Sequence, residues 1–300
     1  MIAPVQHDLA PNITDAALIF EGGGMRASYT AGALVTLLEA GLHFSDVYGI
    51  SAGSSHTVNY LSRDIWRARA SFTDFMATPG TSGWGLLLRG KGYFNAHYIY
   101  EEACLPGGLL PYDFTTFSNN KARAHIEAYC YETGETAYFT SSDMPTLLDL
   151  MRRVRASSTM PFFMPPVQLD GRTYYDGGLG DSWGIPLAQA KRDGYERFFI
   201  VRTQPRGYRK SPDRHPALTR ALFAGRPRVA ERMLERWKRY NAILDEIDAL
   251  EREGRATVFC PEEMSVKNTT TDLVALRAAY EKGYAQARRA LPAWETWLAG

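Results

Sequence analysis

The chain has 300 residues, 45% of them hydrophobic, which is enough to bury a substantial core within one large domain. Its 34 Lys and Arg balance 33 Asp and Glu, so no chain-wide field points to nucleic acid as a partner. No stretch reaches the roughly 18 uninterrupted apolar residues of a membrane span, and the opening "MIAPVQHDLAPNITD" lacks the basic-then-apolar order of a secretory signal. The expected setting is therefore cytoplasmic. Cys104, Cys130 and Cys260 are odd in number, far apart and without CxxC spacing, and are expected to be ordinary thiols rather than a disulfide framework or zinc site.

In chain order, Leu18 to Phe20 is a short apolar strand that ends on Glu21 and three glycines. Arg26 to Ala40 has helical spacing and stops at Gly41. Val47 to Ile50 is a second strand, and a helix follows from Ala52 to about Arg63. This order of strand, loop and helix implies a parallel sheet with sites at the carboxyl ends of its strands. Phe72 to Phe117, rich in Gly, Pro and aromatics, reads as a mobile cover. Thr133 and Gly134 mark a hairpin, Leu147 to Arg155 a helix, and "VQLDGRTYYDGG" another hairpin or strand end. Pro186 to Arg192 starts a helix on its proline, and Arg197 to Val201 is a buried strand. The last third is mostly helical, Val229 to Glu253 and Thr271 to Leu291, around the short strand "ATVFC".

Two glycine clusters carry the chemistry. Gly49-Ile50-Ser51-Ala52-Gly53 is a G-x-S-x-G between a strand and a helix, the setting that projects a serine hydroxyl from a sharp turn. Gly22, Gly23 and Gly24, at the mouth of a helix, offer bare N–H groups to an anion. A nucleotide phosphate would need G-x-G-x-x-G or a closing Lys-Ser/Thr, which "GGGMRASYTAG" lacks, so the oxyanion of a tetrahedral acyl intermediate is favoured. Arg26 either anchors this loop, bears on an anionic substrate or forms a sheet-end salt bridge.

A nucleophilic serine needs a base. His56 lies five positions beyond Ser51 on one helix and should point away. His7, His43, His97 and His125 are poorly placed, and His215 sits in the proline-flanked "SPDRHPAL", which reads as an exposed loop. A carboxylate is the remaining choice, and Asp176, at a strand end before two glycines, stands out from Asp170, a hairpin turn, and Asp181, a cap or loop organiser.

Taken in order, GGGMR, GISAG, ASSTMPFF and DGG resemble the patatin-like phospholipases, bacterial members above all, firmly over Ala16 to Arg202 and weakly beyond. The resemblance implies an α/β three-layer α/β/α sandwich with a mostly parallel central sheet. It implies a Ser/Asp dyad with Ser51 as nucleophile and Asp176 as proton acceptor. Gly22, Gly23, Gly24, Met25 and Arg26 match the oxyanion-hole motif, and Gly49 and Gly53 flank the nucleophile elbow. One departure is Ala27, where the family usually has glycine after the arginine. The expected organisation is a single domain over 1–300, with a catalytic core of about 16–202 and a helical extension of about 215–300.

The activity expected is lipid acyl hydrolysis, as a phospholipase A, lysophospholipase or carboxylesterase, with no metal or cofactor. Alternatives are acyl transfer from the same acyl-serine, a non-catalytic lipid-binding module, and a conventional α/β-hydrolase, which would need His215 close to Ser51. From Arg202 to Arg239 twelve basic residues face three acidic ones, with Phe223, Trp237 and Tyr240 nearby. This segment is expected either to make peripheral contact with anionic lipid or to be a solvated face.

Overall fold

Eight strands build one sheet in the computed structural model, which describes residues 9–300. They are β1 (Ala16–Phe20), β2 (Asp46–Gly49), β3 (Arg123–Cys130), β4 (Thr136–Thr140), β5 (Val167–Leu169), β6 (Arg172–Asp176), β7 (Arg197–Val201) and β8 (Ala256–Phe259). The order is β5-β6-β3-β2-β1-β7-β8, with β4 pairing with β3. From β3 through β8 all neighbours on this path run parallel, while β4 and β6 are antiparallel to β3 and β5 is antiparallel to β6. The sheet is therefore mixed, with a parallel half that carries both glycine clusters.

Among the described residues ten α-helices accompany it: α1 (Ala27–Glu39), α2 (Ala52–Leu61), α3 (Ile65–Ala70), α4 (Trp84–Leu88), α5 (Phe114–Asn119), α6 (Leu147–Ser158), α7 (Leu187–Arg192), α8 (Pro216–Leu222), α9 (Pro227–Arg252) and α10 (Leu273–Ala299). Every residue of β1 is buried, the continuous apolar run of a central parallel strand covered on both faces. Successive side chains then divide between two cores. Leu18, Phe20 and Phe199 join Leu34 of α1 and Leu276 and Trp294 of α10. Ala17, Ile19, Phe198 and Ile200 join Leu244, Ile247 and Leu250 of α9. Helices on both faces make the α/β/α sandwich.

The crossing of α1 and α10 is close enough for main chain to meet main chain. A methyl on Gly32 would run into the backbone of Gly283 and Tyr284, and one on Gly283 into the Tyr29 carbonyl. Tyr29 also donates to Gln286 Oε1 at 2.5 Å.

Several local expectations change. The last helix does not stop at Leu291 but passes through Pro292 to Ala299. A proline forfeits one backbone bond there, and buried Trp294, packed edge-on against Phe199 and Phe259, holds the final turns in place. Pro186 caps α7 instead of opening its first turn. The "SPDRHPAL" segment is not simply loop, because His215 is the N-cap of α8. The segment 72–117 contains α4, a π-helical turn at Tyr98–Glu102 and the start of α5, and it supplies buried Phe72, Phe75, Phe94 and Leu110 to the core. The three cysteines are free and buried.

Candidate active site

Because β1 and β2 are parallel neighbours, their carboxyl ends deliver Glu21–Gly24 and Ile50–Ser51 to the same edge of the sheet. Ser51 has φ 56° and ψ −125°, a conformation costly for any residue with a Cβ. The surroundings hold it there. Its N–H donates to Ser157 Oγ at 2.9 Å, its carbonyl accepts the Ser54 hydroxyl at 2.6 Å, and the Gly53 N–H closes the turn onto the Ile50 carbonyl at 2.8 Å. The flanking glycines are required by close approach: a methyl on Gly53 would strike the Phe20 carbonyl, and one on Gly49 the Gly53 carbonyl.

Asp176 arrives from the end of β6, fixed by its N–H to the Thr159 carbonyl at 2.9 Å. Its Oδ1 accepts the Gly178 N–H at 2.7 Å, and the Ser51 side chain lines the same cleft and favours its charged form. The structure thus brings residues 51 and 176 together. Burial pushes the Asp176 carboxyl above the ordinary carboxylate range, and the Arg236 guanidinium, the Ser51 hydroxyl and the Gly178 amide pull it partly back.

The glycine-loop amides are not equivalent. The Gly22 N–H is committed to the Gly184 carbonyl at 3.0 Å, Met25 to Asn268 at 3.1 Å and Arg26 to Gly23 at 3.3 Å. Among the described residues the N–H groups of Gly23 and Gly24 have no acceptor, and they lie beside Ser51. Of the five residues Gly22 to Arg26, two therefore keep an uncommitted amide. Gly22 instead provides clearance, since a methyl on it would sit 3.1 Å from Ser51 Cβ.

Two cavities meet at Ser51, Gly24, Met160 and Asn268. One is apolar, walled by Phe72, Phe75, Phe94, Ile99, Met151 and Val154. The other is a polar cleft lined by Asp176, Arg26, Lys210, Asp213, Arg236 and Trp237. No histidine lines either cavity. His56 turns away from Ser51 to a contact with Thr30 Oγ1 at 3.0 Å between the rings of Phe20 and Phe72, where burial pushes its pKa down to about 3. His125 is held by Asp46 at 2.7 Å, His97 by Glu101 and Glu102, and His7 lies outside the described residues.

Arg26 lines the cleft, and among the described residues it forms no ion pair, which excludes the sheet-end salt bridge. Glu21, whose charge attracts Arg26 without pairing with it, accepts from the Thr203 N–H at 2.6 Å and the Tyr240 hydroxyl, and faces Arg202 at 3.9 Å. Asp181 accepts from Arg232 at 2.6 Å and so ties α9 to the loop after Asp176. The basic segment 202–239 divides in the same way. Arg206, Arg209, Arg220 and Arg232 pair with carboxylates, whereas Lys210 and Arg236 turn into the cleft.

Sequence reasoning missed Ser157, Thr159, Asn268, Lys210 and Arg236 as site residues. Ser157 and Thr159 fall within "ASSTMPFF", and the two cations fall within the segment singled out for charge, so both signals existed. Asn268 acts through its main-chain carbonyl, which no side-chain pattern announces.

No described helix is long and apolar enough to cross a membrane. The fold is similar to the crystal structure of VipD from Legionella pneumophila, with a TM-score of 0.51 and 13% identity over 93% of this chain and 67% of that one. The chain is 27% identical over 195 residues to Uncharacterized protein YjjU of Escherichia coli (strain K12). That alignment takes in 63% of this chain and 52% of the relative, so it spans about half the relative's length. A domain of unknown function, DUF6363, matches residues 226–299. Residues 18–190, more than half of the chain and the stretch that contains both glycine clusters and Asp176, match the patatin-like phospholipase family, and the chain belongs to that family.

Proposed function

We propose that the chain is a serine hydrolase of lipid acyl esters, with Ser51 as nucleophile and Asp176 as the only acid–base group. The observation that carries this reading is Ser51 on a strained turn beside the buried Asp176 carboxylate, where an apolar cavity opens into a polar cleft. Burial raises the basicity of Asp176, as a carboxylate working near neutral pH requires. The serine proton passes to Asp176 as Oγ attacks the ester carbonyl, with the acyl chain in the apolar cavity. The Gly23 and Gly24 amides receive the oxyanion. Collapse breaks the ester C–O bond, and the proton on Asp176 goes to the departing alcohol. Asp176 then takes a proton from water, whose oxygen attacks the acyl-serine, and returns that proton to Ser51 Oγ as the fatty acid leaves.

The family membership supports lipid acyl hydrolysis in general, and the dyad and its roles are our assignment. The test is fluorophosphonate labelling and ester hydrolysis by wild type, Ser51→Ala and Asp176→Asn. Labelling lost in Ser51→Ala and turnover lost in both variants is the expected result. Turnover that survives in both variants refutes the dyad.

A further inference from the structure

Arg26, Lys210 and Arg236 reach the cleft from three separate places: the loop after β1, the segment between β7 and α8, and α9. They lie close enough to repel one another. Arg236 lowers the proton affinity of both others, and Arg26 lowers that of Lys210, whose amine is pushed down to about 7, mainly by burial. Among the described residues no carboxylate forms an ion pair with any of the three. The buried Nε of Arg26 has no acceptor, Lys210 Nζ lies 4.9 Å over the Tyr240 ring, and Arg236 reaches only the Trp183 carbonyl at 3.5 Å.

Their neighbours in the same basic segment behave otherwise. Arg209 has Asp245 at 2.7 Å and Arg232 has Asp181 at 2.6 Å. The cleft's own carboxylates are hydrogen-bonded elsewhere, Asp176 by the Gly178 amide at 2.7 Å and Asp213 by the Thr219 hydroxyl at 2.6 Å and the His215 amide at 2.7 Å. Glu21 attracts Arg26 and Lys210, and Asp176 attracts Arg236, but Glu21 also faces Arg202; three mutually repelling cations next to a nucleophile thus outnumber the carboxylates around them and are complementary to an anion carrying more than one charge.

We propose that Arg26, Lys210 and Arg236 form a subsite for the terminal phosphate of the alcohol half of the ester, so that the preferred substrates are acyl esters of a phosphorylated polyol such as glycerol phosphate. The assignment rests on Ser51 and Asp176 being the reactive pair, because Ser51 sits between the apolar cavity that takes the chain and the cleft that takes the phosphate. A phosphomonoester approaches two charges at neutral pH. A zwitterionic diester brings one, together with an ammonium for which this cleft has no unengaged carboxylate.

Turnover of acyl glycerol phosphate, lysophosphatidylcholine and monoacylglycerol of one chain length is compared in wild type, Lys210→Met and Lys210→Arg. Wild type should favour the phosphomonoester in kcat/KM. Lys210→Met should lower the ratio of phosphomonoester to monoacylglycerol kcat/KM by about tenfold or more, chiefly through KM, as loss of a charge-assisted contact does. Lys210→Arg should restore much of that ratio. Equal use of all three lipids, or a ratio unmoved by Lys210→Met, overturns the subsite.

A second arm needs no turnover. Calorimetric titration of Ser51→Ala with acyl glycerol phosphate, glycerol phosphate and inorganic phosphate should give binding that tightens in reverse of that order and weakens with Lys210→Met. Inorganic phosphate binding as tightly as the lipid assigns the cleft to a free anion and overturns the headgroup reading, as does no binding. Lys210-dependent lipid binding without hydrolysis of any ester by wild type refutes the Ser51/Asp176 reaction while the subsite stands.

Discussion

Glu127→Gln should make the protein more stable than wild type at alkaline pH and leave the two nearly equal at pH 4.5. Glu127 lies on β3, one residue before the partner of Asp176, and its main-chain carbonyl presses against Gly177. One carboxyl oxygen accepts the Ser182 hydroxyl at 2.9 Å, and the other has no partner among the described residues. Burial is the main influence and pushes this carboxyl from an ordinary 4.5 up to about 8, with Ser182 and Arg192 offsetting part of it. The native chain therefore keeps a proton between those values that the unfolded chain releases. The associated stability is complete below about 4.5 and is lost as pH rises through about 8. At ~1.4 kcal/mol per pH unit the loss totals about 5 kcal/mol. Glutamine cannot ionise and keeps an oxygen for Ser182. Urea unfolding of both proteins at pH 4.5, 6, 7.5 and 9 measures the difference, and titrations common to the two cancel. A difference that stays flat across this range would mean that Glu127 ionises normally in the folded protein and that the burial reasoning is wrong.

Ester hydrolysis should fall as pH drops through a value above the ordinary ~3.9 of aspartate, because Asp176 must be ionised to accept the serine proton. Arg236→Met removes the foremost group holding that carboxyl down, so the acid limb of the kcat profile should move to higher pH. Ser157→Ala leaves the Ser51 amide without its acceptor. It should cost about 1–3 kcal/mol in urea unfolding and lower kcat for a short ester more than it raises KM. Gly283→Ala puts a methyl onto the Tyr29 carbonyl and should lower the calorimetric Tm by a shift equivalent to about 1–3 kcal/mol of overpacking or more, whereas the exposed Gly254→Ala, with open space around it, tests only the cost of its φ of 73°.

The parallel half of the sheet was legible because β1 and β7 are apolar runs punctuated by glycine, and each pattern reports on its own few residues. The elbow at Ser51 was legible for the same reason: its two glycines answer to main chain within the motif or on the adjacent strand. What joins distant segments was not. The committed amides of Gly22 and Met25 depend on carbonyls of Gly184 and Asn268, and no local pattern distinguishes them from the unpartnered amides of Gly23 and Gly24. The inward turn of Lys210 and Arg236 was hidden because a count of basic residues registers charge and not direction. Pro292 misled for a related reason, since a local helix breaker was outweighed by the tertiary packing of Trp294.

The four residues of β8 complete the sheet beyond β7, pairing Ala256 with Phe198 and Phe259 with Val201. Without them β7 would present the row Phe198, Phe199, Ile200 and Val201 as an open, sticky border able to recruit a strand from another molecule. Trimming the chain before residue 226 would also uncover the groove that α10 fills on α1. The region matched by the domain of unknown function thus covers a sticky border and a groove at once, and versions shortened before residue 226 should precipitate more readily than the 300-residue chain.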